Sequence, residues 1–307
     1  MLRYVSQRLL EGVGVVFGVL TVVFLVTRML GDPAALLLPP GSSQADILRF
    51  REQLGLDLPL FQQYLTYLGQ VLTGNFGNSY VHYRPAFQVI LERMPATVGL
   101  ATTALVIGVV LGGILGTLAA YFRDSPISTL IMLLALIGQA TPIFWLGLIL
   151  IDVFAVSLQW LPTGGTGGFS HFILPAITLS MFTGASVARL LRSSLVDVLN
   201  EDYMRTAESK GLKGRIVLFR HALRNALIPT ITMVGIIAGE LLGGAVITET
   251  VFAWPGVGLA IVEAIQINDY PVIQAGVVLL AVIFVIVSIT VDLLYLALDP
   301  RIRLTAQ

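Results

Sequence analysis

Residues 201–229 read EDYMRTAESKGLKGRIVLFRHALRNALIP, a polar, cationic stretch set between two long apolar runs. Its charges are patterned for helix. Glu201 and Arg205 stand four residues apart with the acid first, the order an α-helix favours. Asp202 is placed to cap a helix that continues through Tyr203, Thr206, Ala207 and Lys210. Gly211 then stops it. A second helix, over about 213–225, carries Ile216, Phe219, Leu223 and Leu227 on one stripe, with Lys213, Arg220 and Arg224 beside it. Helix, glycine turn and helix predict a compact knob. A solvated positive loop is the plainer reading, but an apolar stripe needs a surface to pack on, and a partner protein supplies one.

The rest of the chain is hydrocarbon by composition. Of 307 residues, 56% are hydrophobic and 12% charged, with a mean hydropathy of +0.88. Ordinary globular domains carry about a quarter charged residues, so this chain belongs in a bilayer. Spans need about 20 predominantly apolar residues, and six candidates are found: Leu9–Met29, Thr97–Phe122, Thr129–Val156, Phe172–Leu191, Leu227–Val251 and Val272–Leu298. Arg3 and Arg8 before the first run mimic a secretory signal. The run is too long for a signal core and no small-residue cleavage site follows, which predicts an uncleaved anchor.

Orientation is read from Lys and Arg. With the N-terminus in the cytoplasm, 13 of the 18 basic residues fall inside and 5 outside. Both ends are therefore expected in the cytoplasm, and so is the 201–229 segment.

The expected organisation is a cytoplasmic end and first span over 1–30, an extracytoplasmic cap over 31–96, and a five-helix core over 97–307 that includes a cytoplasmic loop at 192–226. The cap opens on a Gly-Asp-Pro turn and on Pro39-Pro40-Gly41-Ser42-Ser43. It then shows apolar residues at helical spacing, Ile47, Phe50 and Leu54 and afterwards Leu60, Tyr64, Leu65 and Leu68, broken by Gly55 and Gly74. Two or three short helices are predicted there, because structureless loops of that length are uncommon. Gly108, Gly112 and Gly116 in the second span, and Gly235, Gly239 and Gly243 in the fifth, repeat every four residues and predict close helix–helix seams.

Glu240 alone sits near the middle of a predicted span, where an ionised side chain is costly. It either lines a polar pathway or is a structural carboxyl bonded to a neighbouring helix. Other chemistry is scarce. With no cysteine, disulfides and thiolate metal sites are excluded. The three histidines, His82, His171 and His221, fall in loops or at a span edge, so no intramembrane Ser–His pair is available. No G-x-x-x-x-G-K-[ST] occurs, so an ATP-driven process would need its motor on another polypeptide. A formal charge of zero suggests no nucleic-acid partner, and no metal site is indicated.

The run DYMRTAESKGL…RHALRNALIP resembles the cytoplasmic coupling motif, the EAA loop, of binding-protein-dependent ABC importer permeases, in particular the B-type subunit of the dipeptide/oligopeptide/nickel family. The resemblance extends over essentially the whole chain. It includes the MLRYVSQRLL start, GDPA at Gly31–Ala34, REQLGLDLPLFQQYLTYL at Arg51–Leu68, RMPAT at Arg93–Thr97, ITETVFAWPGVG at Ile247–Gly258, DYPVIQ at Asp269–Gln274 and the DPRIR end at Asp299–Arg303. The spacing from Gly211 to Pro229 is longer than in the minimal motif, so the glycine and the helix before it carry the mapping.

The resemblance implies an all-α membrane protein with six transmembrane helices, the type I ABC importer permease fold and a small helical extracytoplasmic cap. It implies a non-catalytic, multi-pass subunit in the cytoplasmic (inner) membrane of a bacterium or archaeon, importing di- or oligopeptides, or a nickel chelate or glutathione. Its implied partners are a second homologous permease, two cytoplasmic ATPases and an extracytoplasmic substrate-binding protein. ATP and Mg would be bound by the ATPases, with no cofactor on this chain.

On this mapping Glu201, Asp202, Tyr203, Arg205, Thr206, Ala207, Lys210, Gly211, Arg220 and His221 form the ATPase-coupling element. Glu240, Gly239 and Gly243 line the pathway, and Thr250, Phe252, Trp254, Pro255 and Gly256 face the binding protein. A secondary transporter using Glu240 is the rival class, though such proteins commonly show matching halves and none is evident. A membrane enzyme is weaker still, for want of catalytic groups.

Overall fold

The computed structural model describes residues 2–29, 38, 43–53, 55–209, 211 and 214–298; the side chains at 2–4, 50, 53, 205, 207–208, 215 and 294–298 fall outside that description. Outside it too lie the GDPA motif, the turn at Pro39–Ser42, Leu54, Lys210, Lys213 and the DPRIR end.

Among the described residues the chain is helical, with one isolated bridge pairing Asn78 and Pro85. In order come α1 (Leu2–Met29), α2 (Gln44–Gln53), α3 (Leu60–Leu72), α4 (Ala86–Tyr121), α5 (Pro126–Ala140), α6 (Ile143–Leu150, continued as a π-helix over Ile151–Ser157) and α7 (Ser170–Leu199). Then follow α8 (Asp202–Ser209), α9 (Gly214–Ile216, continued as a π-helix over Val217–Ala222), α10 (Leu223–Val251), α11 (Val257–Gln266) and α12 (Tyr270–Leu298). Among the described residues, five helical stretches are long and apolar enough to cross a membrane: Val5–Met29, Ala86–Tyr121, Ser170–Leu199, Val217–Val251 and Tyr270–Leu293.

The remaining expected span, Thr129–Val156, is not one straight helix. It is a pair, Pro126–Ala140 and Ile143–Ser157, bent by 106°. The cause is local. Pro142 has no N–H to give a continuing helix, and it drives the residue before it out of the helical region. Thr141 accordingly sits at φ −76°, ψ 124°.

The chain divides into two compact units, one of Val98–Trp254 with the chain from Val287 onward, the other of Leu2–Thr97 with Pro255–Ile286. In the first, α4, α7 and α10 share a core of Leu100, Ala104, Ala176, Leu179, Ile237, Leu241 and Ala245. The α4 glycines form a seam. A Cβ on Gly108 would lie 2.6 Å from Thr183 Cβ, one on Gly112 would lie 2.5 Å from the Gly184 carbonyl oxygen, and one on Gly116 would lie 2.7 Å from that of Ala188. The α10 glycines do not form a single seam: Gly235 abuts Val291, whereas nothing lies within 4 Å of a Cβ on Gly243.

In the second unit, Leu20, Phe24, Tyr67 and Val278 join α1, α3 and α12, and Thr21 Oγ1 lies 2.6 Å from the Tyr64 hydroxyl. The cap holds the two short helices α2 and α3, and Gly55 and Gly74 take φ of +63° and +72° where the chain breaks. Helix α4 starts at Ala86, well before the expected Thr97, because Ala86, Val89 and Ile90 are buried at helical spacing; the charges of Glu92 and Arg93 hide this onset from hydropathy. Asp269 ties the loop before α4 to α12, accepting from Ser79 Oγ and, at 3.2 Å, from the Tyr80 N–H.

Candidate functional site

Helix α8 is almost entirely polar, DYMRTAES, and is held to the first unit by its one long apolar side chain. Met204 is 0% exposed. It enters a core formed by Ala120 at the end of α4, Leu191 and Leu195 near the end of α7, and Val217, Leu218, Ala222 and Ala226 leading into α10. Polar contacts fix the same corner. Arg123 Nη1 donates to Asn200 Oδ1 at 3.2 Å. Arg192 Nε donates at 3.0 Å to Ser128 Oγ, which itself donates to the Ala119 carbonyl at 2.8 Å. Asn225 Nδ2 donates to the Tyr203 hydroxyl at 2.9 Å, pinning α8 to α10.

Asp202 opens α8 from within its first turn, where a negative charge complements the helix dipole. Glu201 precedes it, and Thr206 Oγ1 bonds back to the Asp202 carbonyl at 3.1 Å. Gly211 takes φ +78°, the left-handed conformation that reverses the chain at least cost in glycine. Arg205 and Ala207 lie on α8, though their side chains, like Lys210, are outside the described residues.

Two features differ from the sequence expectation. The second helix of the knob is not a separate element: Val217–Val251 forms one helical stretch, so the knob's second arm is the entry to a span. Its buried face is also not the predicted stripe. Val217, Leu218, Ala222 and Ala226 are buried, whereas Ile216 is 40% and Phe219 59% exposed. The π-turn at Val217–Ala222 is the reason, since its wider i to i+5 repeat displaces the face that a regular α-helix would bury. Leu223 and Leu227 still pack against the core from its edge. Exposed Tyr203, Ile216, Phe219, Arg220 and Arg224, with half-buried His221, are left at the surface.

On α10, Ile236, Glu240, Gly243, Ile247 and Thr250 are all exposed. They fall at i, i+4, i+7, i+11 and i+14, a single helical stripe that no other part of the described chain covers. Gly239 lies off this stripe and is buried.

The description "binding-protein-dependent transport system inner membrane component" matches residues 108–304, and its N-terminal counterpart matches residues 1–101. The chain belongs to this family. It is 44% identical over 304 residues to the glutathione transport system permease protein GsiC of Escherichia coli K12 and to that of Shigella dysenteriae, covering 99% of each chain. It is similar in fold to a chain of the MetNI methionine ABC transporter in an inward-facing conformation, with a TM-score of 0.59 at 16% identity, over 69% of this chain and 97% of that one. The protein is thus a non-catalytic, multi-pass inner-membrane permease of an ABC importer, with the type I fold, a class that works with ATPases and substrate-binding proteins.

In this permease the residues assigned to the outer loop are unequal. Thr250 is exposed, and Trp254 and Pro255 are half-buried. Phe252 is 1% exposed, and its carbonyl oxygen accepts from the Gly165 N–H at 2.8 Å. Gly256 is also buried. Sequence reading missed Met204, Asn225 and the Arg192–Ser128 pair. Met204 could have been found as the lone long apolar residue on a polar helix; the other contacts join residues 22 and 64 positions apart and leave no local pattern. Glu249, placed near a span end, was also passed over although it is 0% exposed.

Proposed function

We propose that this permease forms half of a translocation pathway, pairing with a second homologous permease, two cytoplasmic ATPases that bind ATP and Mg, and an extracytoplasmic binding protein, with both chain ends in the cytoplasm. The observation that carries the reading is the uncovered α10 stripe around Glu240. A carboxylate at that depth in a span requires water or a polar partner, and a pore shared with a second subunit provides both. Thr250, Trp254 and Pro255 would offer surface to the binding protein, with Phe252 and Gly256 shaping the loop from within.

The coupling role falls to α8 and Gly211, with Glu201, Asp202, Tyr203, Arg205, Thr206, Ala207 and Lys210 at the ATPase face and Arg220 and His221 on the adjoining arm. The anchoring of Met204 supports this: a knob that transmits force must be fixed at its base, and Met204 is fully buried there. Exposed Phe219 and Ile216 give the aromatic and aliphatic anchors that such interfaces use.

The cargo is a short peptide, and glutathione, a small γ-linked tripeptide, is the first candidate because relatives named for it are 44% identical over full length. The test is reconstitution with the ATPases and binding protein in proteoliposomes, measuring uptake of labelled glutathione, dipeptides and a nickel chelate. ATP-dependent uptake of glutathione or another short peptide is expected. Uptake driven by an ion gradient without ATP would point instead to a secondary transporter.

A further inference from the structure

Helix α3 reads LFQQYLTYLGQVL and carries no charged residue, whereas α2, the other helix of the cap, carries Asp46, Arg49, Arg51 and Glu52. At 3.6 residues per turn the α3 side chains fall on three faces. Tyr64, Tyr67, Leu68 and Val71 join the core that Leu20 and Phe24 of α1 and Val278 of α12 share. Gln62, Thr66 and Gln70 form a second face, polar and exposed. Phe61, Leu65 and Leu72 form the third, apolar yet 71%, 51% and 85% exposed.

The depth of α3 follows from α1, which has no charged residue between Glu11 and Arg28. The Tyr64 hydroxyl lies 2.6 Å from Thr21 Oγ1, and its ring centre lies 5.2 Å from that of Phe24 and 6.3 Å from that of Phe17. Thr21 stands seven residues before Arg28 and Phe17 eleven, so these contacts fall ~10–16 Å from Arg28 along the helix axis. A hydrocarbon core is about 30 Å thick. Tyr64 therefore meets α1 well inside the leaflet that holds the Met29 end. The polar face of α3 turns the other way, since Thr66 and Gln70 line a cavity together with Thr27 and Arg28. Phe17, which meets the Tyr64 ring, is itself 52% exposed, so the uncovered apolar surface of the α1 span continues onto α3.

We propose that α3 is an interfacial helix whose partner is the lipid leaflet itself. Phe61, Leu65 and Leu72 sit among the acyl chains, and Gln62, Thr66 and Gln70 face the headgroups. Interfacial helices sink their apolar face about 5–10 Å past the headgroup boundary, a depth that the Tyr64–Thr21 contact reaches. Two tyrosines on the buried side, Tyr64 and Tyr67, suit the same level, where amphipathic rings are enriched. The uncharged sequence fits this placement, because none of its side chains has to carry a charge into hydrocarbon. The cap is thus partly embedded and tethered to the bilayer beside α1. The assignment uses no residue of the coupling element or the α10 stripe, so it stands apart from the transport reading.

The test is nitroxide accessibility in the assembled permease complex in phosphatidylcholine nanodiscs. Single cysteines are placed on this chain, which has none of its own, and the other subunits are freed of cysteine. Oxygen concentrates in lipid and a nickel chelate in water, so their relative effect on spin relaxation reads the surroundings of each label. Labels replacing Phe61, Leu65 and Leu72 should be relaxed more by oxygen than by the chelate. Labels replacing Gln62 and Gln70 should show the reverse order. Chelate-dominated relaxation at 61, 65 and 72 would place the stripe in water, and weak relaxation there by both reagents would place it against another subunit. Either result would overturn the proposal.

Discussion

Replacing Gly112 by alanine probes the α4–α7 seam at a point where the neighbour cannot yield. The added Cβ would lie 2.5 Å from the Gly184 carbonyl oxygen and 2.8 Å from Val187 Cβ, so α4 and α7 must separate to admit it. Gly113, the next residue, is the control: a Cβ there meets nothing within 4 Å. Each substitution gains about the same helix propensity, ~0.8–1.0 kcal/mol over glycine, which cancels in the comparison. The difference between the variants is then the overpacking cost alone, typically ~1–3 kcal/mol. No loss of burial from water enters, since in lipid such seams rest on close packing. SDS-induced unfolding of the purified chain, followed by helical circular dichroism, measures the difference directly. Gly112→Ala should be less stable than Gly113→Ala by that amount, and Gly112→Val by more. Equal midpoints and slopes for the two alanine variants would refute the seam.

Gly211→Val should impose about 1–2 kcal/mol of left-handed strain on the turn, and Met204→Ala should cost about 2–5 kcal/mol by emptying the base of α8. Both are expected to insert and pair normally yet lose ATPase pull-down or substrate-stimulated hydrolysis; full stimulation in both would remove the segment from coupling. Glu240→Gln should assemble normally and alter uptake rates, and Glu240→Leu should assemble too, since this side chain is exposed within the chain; wild-type uptake by the Gln variant would exclude a pathway role. Single cysteines at Ser43, Ser125, Thr166, Ser209 and Asn268 can be read cleanly because the chain has none of its own. An impermeant thiol reagent outside the cell should label 43, 166 and 268 and spare 125 and 209. Labelling of 209 but not 166 would mean that the bent α5–α6 pair re-enters the membrane without crossing it.

The membrane class, the approximate position of each apolar run and the glycine at the turn after α8 were all legible in the sequence. The reason is that each depends on a property of a contiguous segment: about 20 apolar residues for a span, or one residue able to hold φ +78°. The 108–112–116 repeat was legible for the same reason, as a small face on one helix. Partners and rotation were not local. The bend at Thr141–Pro142 ran inside a continuous apolar stretch, so hydropathy passed over it although Pro142 marked it. The buried face of the second arm was decided by the π-turn at Val217–Ala222, and a 3.6-residue periodicity cannot anticipate an inserted residue. Gly235 and Gly243 have the same four-residue rhythm as the α4 glycines, but only one of them meets a neighbour. Met204 and Asn225 acquired their roles from residues that folding brings to them. Sequence specifies which surfaces a helix offers; tertiary packing decides which of them are covered, and by what.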